Sequence, residues 1–379
     1  MKILLLNNLF APYSRGGAER IVELMATELR GAGHEIIIVS TKPLGQESPK
    51  IISTDKLYYL PSLYLDLKRL PFFLRPFWHL YNALDFGQAH RLEKIIIKEK
   101  PDLAIAHNLL GLSGLTPWTC KRRDLPYVQI LHDIQLLHPS GLLFYGQEKK
   151  LDTLIARSYQ ALNRRLFDAP DLVVSPSAWL LDLHREYGFF KNSKTLVLPN
   201  PVSELITGYS HPKNNKTILY VGQIDAYKGV LLLLEAWKNI SDQEAKLILA
   251  GDGQLYEKLR NANTDARVNF LGRQDRDQIN MLLSEAGALI VPSLVYENSP
   301  TVIYEAAAAG VPIMASDIGG IPELVKTFGG RLFTPGDASA IAETLNHYLN
   351  LTPEEREKLK PKLPNTEPYS EKILREINK

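Results

Sequence analysis

The chain has 379 residues, 45% of them hydrophobic and 23% charged, an ordinary globular balance on a length that exceeds one comfortable core, so two domains are expected. Its 44 basic and 42 acidic residues leave a formal charge of +2, which excludes a polyanion-binding character for the chain as a whole but not a local patch. Cys120 is the only cysteine, so an intramolecular disulfide is excluded and a reducing, cytoplasmic setting is expected.

The first apolar run, Ile3 to Leu6, reads as a buried strand. Asn7 and Asn8 interrupt it too early for a signal peptide, and no run approaches the roughly 20 apolar residues that cross a bilayer. A loop with Ser14-Arg15-Gly16-Gly17 leads into a helix from about Ala18 to Arg30, where Ile21, Leu24, Met25 and Leu29 keep helical spacing. Gly31 and Gly33 end that helix, and Glu35 to Ser40 form the second strand. The stretch Tyr58–Asn82 mixes Tyr58, Tyr59, Tyr64, Phe72, Phe73, Phe77, Trp78 and Tyr81 with Lys68, Arg69 and Arg75. Pro61, Pro71 and Pro76 prevent one long helix there. This composition suits either a membrane interface with a lipid-linked acceptor or an insertion packed on its own domain. No wider basic field supports nucleic-acid binding.

Further strands are predicted at Leu103–His107, Tyr127–Leu131 and Leu172–Val174. The prolines of Leu198-Pro199-Asn200-Pro201-Val202 mark a boundary, and the pattern restarts at Thr217–Gly222. A loop with Lys228-Gly229, a helix from about Val230 to Trp237, and strands at Lys246–Ala250, Val268–Leu271, Leu289–Val291 and Pro312–Ala315 follow. Strand and helix alternating in this way predict an α/β protein with two doubly wound parallel sheets. The expected domains are 1–199 and 200–365.

The segment Pro292-Ser293-Leu294-Val295-Tyr296-Glu297-Asn298-Ser299-Pro300-Thr301-Val302-Ile303-Tyr304-Glu305 reads as strand end, polar turn and helix start. Pro300 suits a first helical turn, and Thr301 and Val302 offer backbone N–H groups to an anion. Glu305, one turn further, is placed to reach vicinal hydroxyls such as those of a ribose. Gly16-Gly17 lets backbone N–H groups approach a phosphate. His132, after the strand Val128–Leu131, and His107, ending another strand, stand at carboxyl ends where open sheets bind ligands. Gly251-x-Gly253 lacks a third glycine, since Tyr256 stands there, so a dinucleotide-binding fingerprint is absent. Asp275-Arg276-Asp277 leads into an amphipathic run and reads as a helix cap rather than a metal motif.

Glu297 and Glu305, eight positions apart, resemble the E-x7-E signature of retaining, nucleotide-sugar-dependent glycosyltransferases with the GT-B fold, particularly family 4. Gly16-Gly17-Ala18-Glu19-Arg20 is similar to that family's N-terminal glycine loop, and Gly33-His34-Glu35, Ala250-Gly251-Asp252-Gly253 and Phe270-Leu271-Gly272 match its framework turns. The resemblance covers nearly the whole chain. It implies two Rossmann-like domains facing across a cleft, with segment 366–379 returning as a helix to the N-terminal one. It also implies a donor site of Gly16, Gly17, Gln223, Lys228, Asn298, Ser299, Thr301, Val302 and Glu305, and catalytic roles for His132, Glu297 and Lys228. Lys228 would offset charge on the departing diphosphate. Glu297 would contact the donor sugar, and His132 would position sugar and acceptor, in a front-face displacement that needs neither metal nor other cofactor. The partners implied are a nucleotide sugar and a glycan or lipid-linked acceptor, with peripheral membrane contact through 58–82. The family commonly has arginine where this chain has Gln223, which donates N–H but carries no charge. That departure keeps a non-catalytic sugar-nucleotide-binding subunit as the alternative.

Overall fold

The computed structural model describes residues 1–14, 16–49, 55–167, 170–201, 216–363 and 367–379. Arg15 of the glycine loop and Val202 of the boundary segment lie outside the described residues, as do the side chains of Lys68 and Phe72. The chain divides into two compact units, the first comprising 1–142, 149–201 and 366–379, the second 143–148 and 202–365. Residues 143–148 therefore leave the N-terminal run and belong to the second unit, a crossing that has no signature in the local sequence.

In unit 1, seven parallel strands lie in the order β3-β2-β1-β4-β5-β6-β7. They are β1 (Lys2–Leu6), β2 (Glu35–Lys42), β3 (Lys56–Pro61), β4 (Leu103–Ala106), β5 (Tyr127–Ile130), β6 (Leu172–Ser175) and β7 (Lys194–Val197). The helices are α1 (Gly17–Gly31), α2 (Arg75–Ala83), α3 (Phe86–Glu99), α4 (Thr116–Arg122), α5 (Leu154–Leu166) and α6 (Ala178–Glu186). β1 is buried on both faces, Ile3 to Leu6 having no exposed surface, as a parallel sheet covered by helices requires. Ile3 and Leu5 pack under Val22, Met25 and Leu29 of α1. β3 and β7 were not predicted, because β3 lies inside the aromatic stretch and β7 is a half-exposed edge with no apolar run.

Unit 2 has six parallel strands in the order β10-β9-β8-β11-β12-β13. These are β8 (Thr217–Val221), β9 (Lys246–Ala250), β10 (Val268–Gly272), β11 (Ala288–Val291), β12 (Ile313–Ser316) and β13 (Arg331–Phe333). Its helices are α7 (Val230–Trp237), α8 (Tyr256–Ala262), α9 (Arg276–Glu285), α10 (Thr301–Ala308), α11 (Ile321–Phe328), α12 (Ala338–Asn350) and α13 (Pro353–Glu357). Leu247 and Leu249 face Leu233 and Trp237 on one side of the sheet, and Leu289 and Ile313 face Ile303 and Ala307 on the other. Asp275 caps α9 reciprocally with Gln278, which is the role its sequence context predicted. The last helix, α14 (Tyr369–Ile377), belongs to unit 1, where the Ser370 N–H and hydroxyl donate to Glu28 of α1 at 3.0 and 2.8 Å.

Each sheet reverses its strand order once, between β1 and β4 in unit 1 and between β8 and β11 in unit 2. In open parallel sheets the loops leaving such a pair of strands diverge and open a crevice for a ligand. Most of the residues singled out by the sequence fall on those loops.

Candidate functional site

In unit 2 the loop after β8 carries Gln223 and Lys228, and the loop after β11 carries Glu297. Lys228 Nζ pairs directly with Glu297 Oε1, and the Ser293 hydroxyl donates to the same oxygen at 3.1 Å. Two glycines make this approach possible. Gly229 has φ +77°, and a Cβ there would lie 1.7 Å from the Pro292 carbonyl oxygen, so the loop bearing Lys228 rests on the backbone of the loop bearing Glu297. Gly319, at φ +63°, lets its turn approach the Glu297 carbonyl, 2.3 Å from where a Cβ would lie, and that carbonyl accepts from Gly320 N–H at 2.8 Å. The loop bearing Glu297 is thus held at Pro292 by one turn and at Glu297 by the other.

Gln223 is exposed, and its side-chain oxygen accepts from the Tyr227 hydroxyl, while the Tyr220 hydroxyl donates to its backbone carbonyl at 2.6 Å. This orients the Gln223 NH2 away from Tyr227. Burial pushes the Tyr227 hydroxyl up to about 12, so it stays protonated and donates. Beyond Glu297, Asn298 is buried and the Ser299 hydroxyl shares a 2.6 Å hydrogen bond with Tyr304. Pro300 precedes α10 as its N-cap residue rather than entering its first turn, and Thr301 is the first helical residue. The consequence for an anion is unchanged, since the first N–H groups of a helix have no intrahelical partner. Glu305 stands one turn along α10.

Sequence reasoning missed the supports of this loop. Segment 143–148 runs beside it, with Tyr145 N–H donating to Leu294 O at 2.9 Å and Tyr296 N–H donating to Leu143 O at 2.8 Å. Phe144 meets the Tyr227 ring edge-on at 6.2 Å, and the Tyr296 hydroxyl donates to Glu148 at 2.7 Å. These partners lie some 150 positions from the loop in sequence, and no pattern in either stretch announces the pairing.

In unit 1, His107 follows β4 and His132 follows β5. Their rings lie nearly parallel, 17° apart, with His107 Nδ1 2.7 Å from His132 Nε2. The backbone beneath is fixed by Gln129, whose amide donates to the His107 carbonyl at 2.9 Å and whose oxygen accepts from Tyr127 at 2.6 Å. Burial pushes His132 down to about 4 and His107 well below the usual imidazole range, so both rings are neutral at pH 7. Burial raises the neighbouring Asp133 carboxyl to about 6. The sequence placed His132 foremost and His107 second, and the structure makes them one hydrogen-bonded pair. Gly16 caps α1, but its N–H already donates to Glu19 at 2.7 Å, so the glycine loop arrives with one of its donors engaged.

The aromatic stretch divides. Tyr58 bonds Glu99 through its hydroxyl at 2.6 Å, and Tyr59 and Trp78 are buried, so these residues belong to the core of unit 1. Phe77, Leu80 and Tyr81 form an exposed apolar face of α2, extended by Phe73 before it and Phe86 after it, each more than half exposed. No helix among the described residues is long and apolar enough to cross a membrane. Among the described residues, no group of three His, Cys, Asp or Glu is placed to hold a metal ion.

Two Rossmann-like units, each a parallel sheet that reverses its strand order once, define the GT-B fold. Solved structures share this fold. Sucrose-phosphate synthase from Thermosynechococcus elongatus matches with a TM-score of 0.75 at 20% identity, covering 94% of this chain and 92% of that one. Anabaena HepE, solved in complex with UDP and glucose, matches with a TM-score of 0.68 at 19% identity, covering 95% and 92%. In sequence, the profile described as Glycosyltransferase Family 4 matches residues 15–204, and that described as Glycosyl transferases group 1 matches 203–365. The chain belongs to glycosyltransferase family 4. It is 24% identical over 362 residues to the putative teichuronic acid biosynthesis glycosyltransferase TuaC of Bacillus subtilis, covering 92% of this chain and 89% of that protein.

Proposed function

We propose that the chain is a retaining, metal-independent glycosyltransferase that moves a sugar from a nucleotide sugar to a hydroxyl of a glycan or lipid-linked acceptor at the cytoplasmic face of a membrane. The observation that carries this reading is the pairing of Lys228 with Glu297 beside the N-terminus of α10. An ammonium and free helical N–H groups suit a pyrophosphate, and a carboxylate next to them suits sugar hydroxyls. In this reading the ribose lies on Glu305 and the diphosphate on Lys228, Thr301, Val302 and the NH2 of Gln223. Gly16, Gly17, Asn298 and Ser299 complete the donor contacts. Lys228 offsets charge on the leaving diphosphate, Glu297 holds the donor sugar, and His132 binds a sugar hydroxyl as a neutral imidazole. The leaving phosphate itself takes the acceptor's proton, which accounts for retention without a protein nucleophile.

The solved UDP and glucose complex of a neighbour with the same fold supports a nucleotide-sugar donor, and a relative named for teichuronic acid synthesis supports a cell-surface glycan as product. The exposed face of α2 supports contact with lipid. Gln223 in place of arginine favours a second reading, a sugar-nucleotide binder without transfer. Thermal shift with UDP, GDP, ADP and CMP derivatives, followed by donor hydrolysis and transfer assays and the anomeric configuration of the product, tests both. Stabilisation without turnover selects the binder, and an inverted product removes the retaining mechanism.

A further inference from the structure

A cavity of unit 1 lies toward the β3 edge of the sheet, where the loops leaving β2 and β3 meet α2 and the start of α3. It has about 180 Å³ of room for the centres of water molecules, enough for a compact polar group of several heavy atoms. Its floor is fixed by bonds already made. The Gln88 amide donates to the Pro61 carbonyl at 2.6 Å, and the Asn82 side-chain oxygen accepts from Gly111 N–H at 2.7 Å. The buried Trp78 ring is held by Tyr64, stacked on it 23° from parallel.

Two opposite charges border this space without pairing. Asp85 and Arg91 both line the cavity, and among the described residues neither forms an ion pair. A Cβ on Gly87 would lie 3.2 Å from Asp85 Oδ1 and 3.9 Å from Arg91 Nη1, so both groups stand beside one small space that Gly87 leaves open. Asp85 Oδ1 accepts from Gln88 N–H at 2.9 Å, capping α3, and the Asp85 charge raises the neighbouring Tyr81 hydroxyl above its ordinary value. Arg91 Nη1 reaches the Gln88 oxygen at a long 3.4 Å. Trp78 and Tyr81 give the cavity an aromatic wall, and Leu44, Leu63 and Tyr81 give it an exposed apolar rim. Tyr81 also belongs to the exposed face of α2, so the cavity opens beside that face.

The lining selects the ligand's chemistry. A lone anion is opposed by Asp85 and a lone cation by Arg91, whereas a ligand carrying both charges satisfies both. A guanidinium suits a phosphate. A carboxylate next to aromatic rings suits an ammonium, through charge-assisted hydrogen bonds and the negative ring faces. A primary ammonium suits Asp85 better than a quaternary one, because it has N–H groups to donate. The apolar rim then calls for a zwitterion that carries hydrocarbon chains.

We propose that this cavity binds the phosphoethanolamine headgroup of a membrane lipid, with its phosphate on Arg91, its ammonium on Asp85, and its chains leaving over Leu44, Leu63 and Tyr81. Neither His107 nor His132 lines the cavity, and the lipid serves as an anchor that sets how unit 1 stands on a bilayer. The proposal rests on the reading that the α2 face meets lipid, and adds to it a lipid of stated charge.

The test is co-sedimentation of the full chain with vesicles of fixed phosphatidylglycerol content, the remainder being phosphatidylcholine or phosphatidylethanolamine. Binding is expected to be about tenfold tighter with phosphatidylethanolamine, the gain of a charge-assisted hydrogen bond. Asp85→Asn keeps a good helix cap and should remove that preference. A preference that survives Asp85→Asn reports the looser packing of a phosphatidylethanolamine bilayer and overturns the proposal. Equal binding of the wild-type chain to the two vesicles overturns it alone and leaves the α2 reading standing. Saturation-transfer NMR with soluble glycerophosphoethanolamine, glycerophosphate and ethanolamine, each at millimolar concentration, gives a second readout that needs no bilayer. Glycerophosphoethanolamine should respond, glycerophosphate and ethanolamine should not, and Arg91→Gln should abolish the response. An equal response to glycerophosphate marks a plain anion site and overturns the headgroup assignment, as does silence toward all three. A response to the soluble headgroup without binding to either vesicle overturns lipid anchoring, and the α2 reading with it.

Discussion

Replacing Glu297 with Gln keeps the size of the side chain and removes the charge to which Lys228 is paired. A diphosphate entering the site must draw Lys228 away from that partner, so in the free protein the pair opposes donor binding. Two unit charges 4 Å apart attract by about 4 kcal/mol at an effective dielectric near 20. The Lys228 and Glu297 side chains keep 26% and 17% of their surface exposed, and solvent screening reduces the net worth of such a pair to about 1 kcal/mol. Glu297→Gln should therefore bind a nucleoside diphosphate about fivefold more tightly while transferring sugar more slowly, because the donor sugar loses a charged acceptor. Part of the gain arises simply from removing a like charge near the phosphates, and a double-mutant cycle isolates the rest. In a Lys228→Ala background, Glu297→Gln should gain only that smaller part. Isothermal calorimetry with UDP, GDP and ADP on the four proteins gives the cycle. Nucleotide binding no tighter in Glu297→Gln than in wild type refutes the reasoning, as does an equal gain with and without Lys228.

Glu305→Ala should weaken nucleotide-sugar binding by about 1.5–3 kcal/mol, the worth of a charge-assisted hydrogen bond to ribose; unchanged affinity in an intact fold would remove Glu305 from the site. Gly229→Ala places a Cβ 1.7 Å from the Pro292 carbonyl at φ +77°, so the loop must move, and both melting temperature and UDP affinity should fall. Acid should destabilise the protein between pH 6.5 and 4. His132 and His184 stay neutral down to about 4, and burial holds His107 well below the usual imidazole range, so the unfolded chain binds more protons in that window. Stability then falls with pH by up to about 1.4 kcal/mol per unit for each ring. Asp133, raised to about 6, takes its proton first in the folded state and offsets one ring between pH 6 and 3.8; denaturant melts flat from pH 6.5 to 4.5 would contradict the neutral histidines. Finally, Ser at Phe73, Phe77 and Tyr81 should reduce co-sedimentation with anionic vesicles, since each inserted aromatic is worth about 1.5–3 kcal/mol, and should leave UDP binding unchanged; vesicle binding indifferent to the change would return the α2 face to a role other than lipid contact.

The sequence by itself determined the alternation of strand and helix, because buried parallel strands such as Ile3–Leu6 and Ala288–Val291 are unbroken apolar runs and their helices carry 3.6-residue spacing. It also placed Gln223, Lys228, Glu297 and His132 on loops that follow strands, which is where the structure has them. Edge strands β3 and β7 escaped, because a half-exposed strand needs no apolar run. The division of the aromatic stretch also escaped, because Trp78 and Phe77 are adjacent in sequence yet point to core and solvent respectively. Only the tertiary structure decided which side chains meet. Lys228 reaches Glu297, 69 positions away, because β8 and β11 are neighbours in the sheet and Gly229 admits the Pro292 carbonyl. His107 reaches His132 because β4 pairs with β5. Segment 143–148 pairs with the Glu297 loop through backbone hydrogen bonds, which any residues can make and no side-chain pattern records.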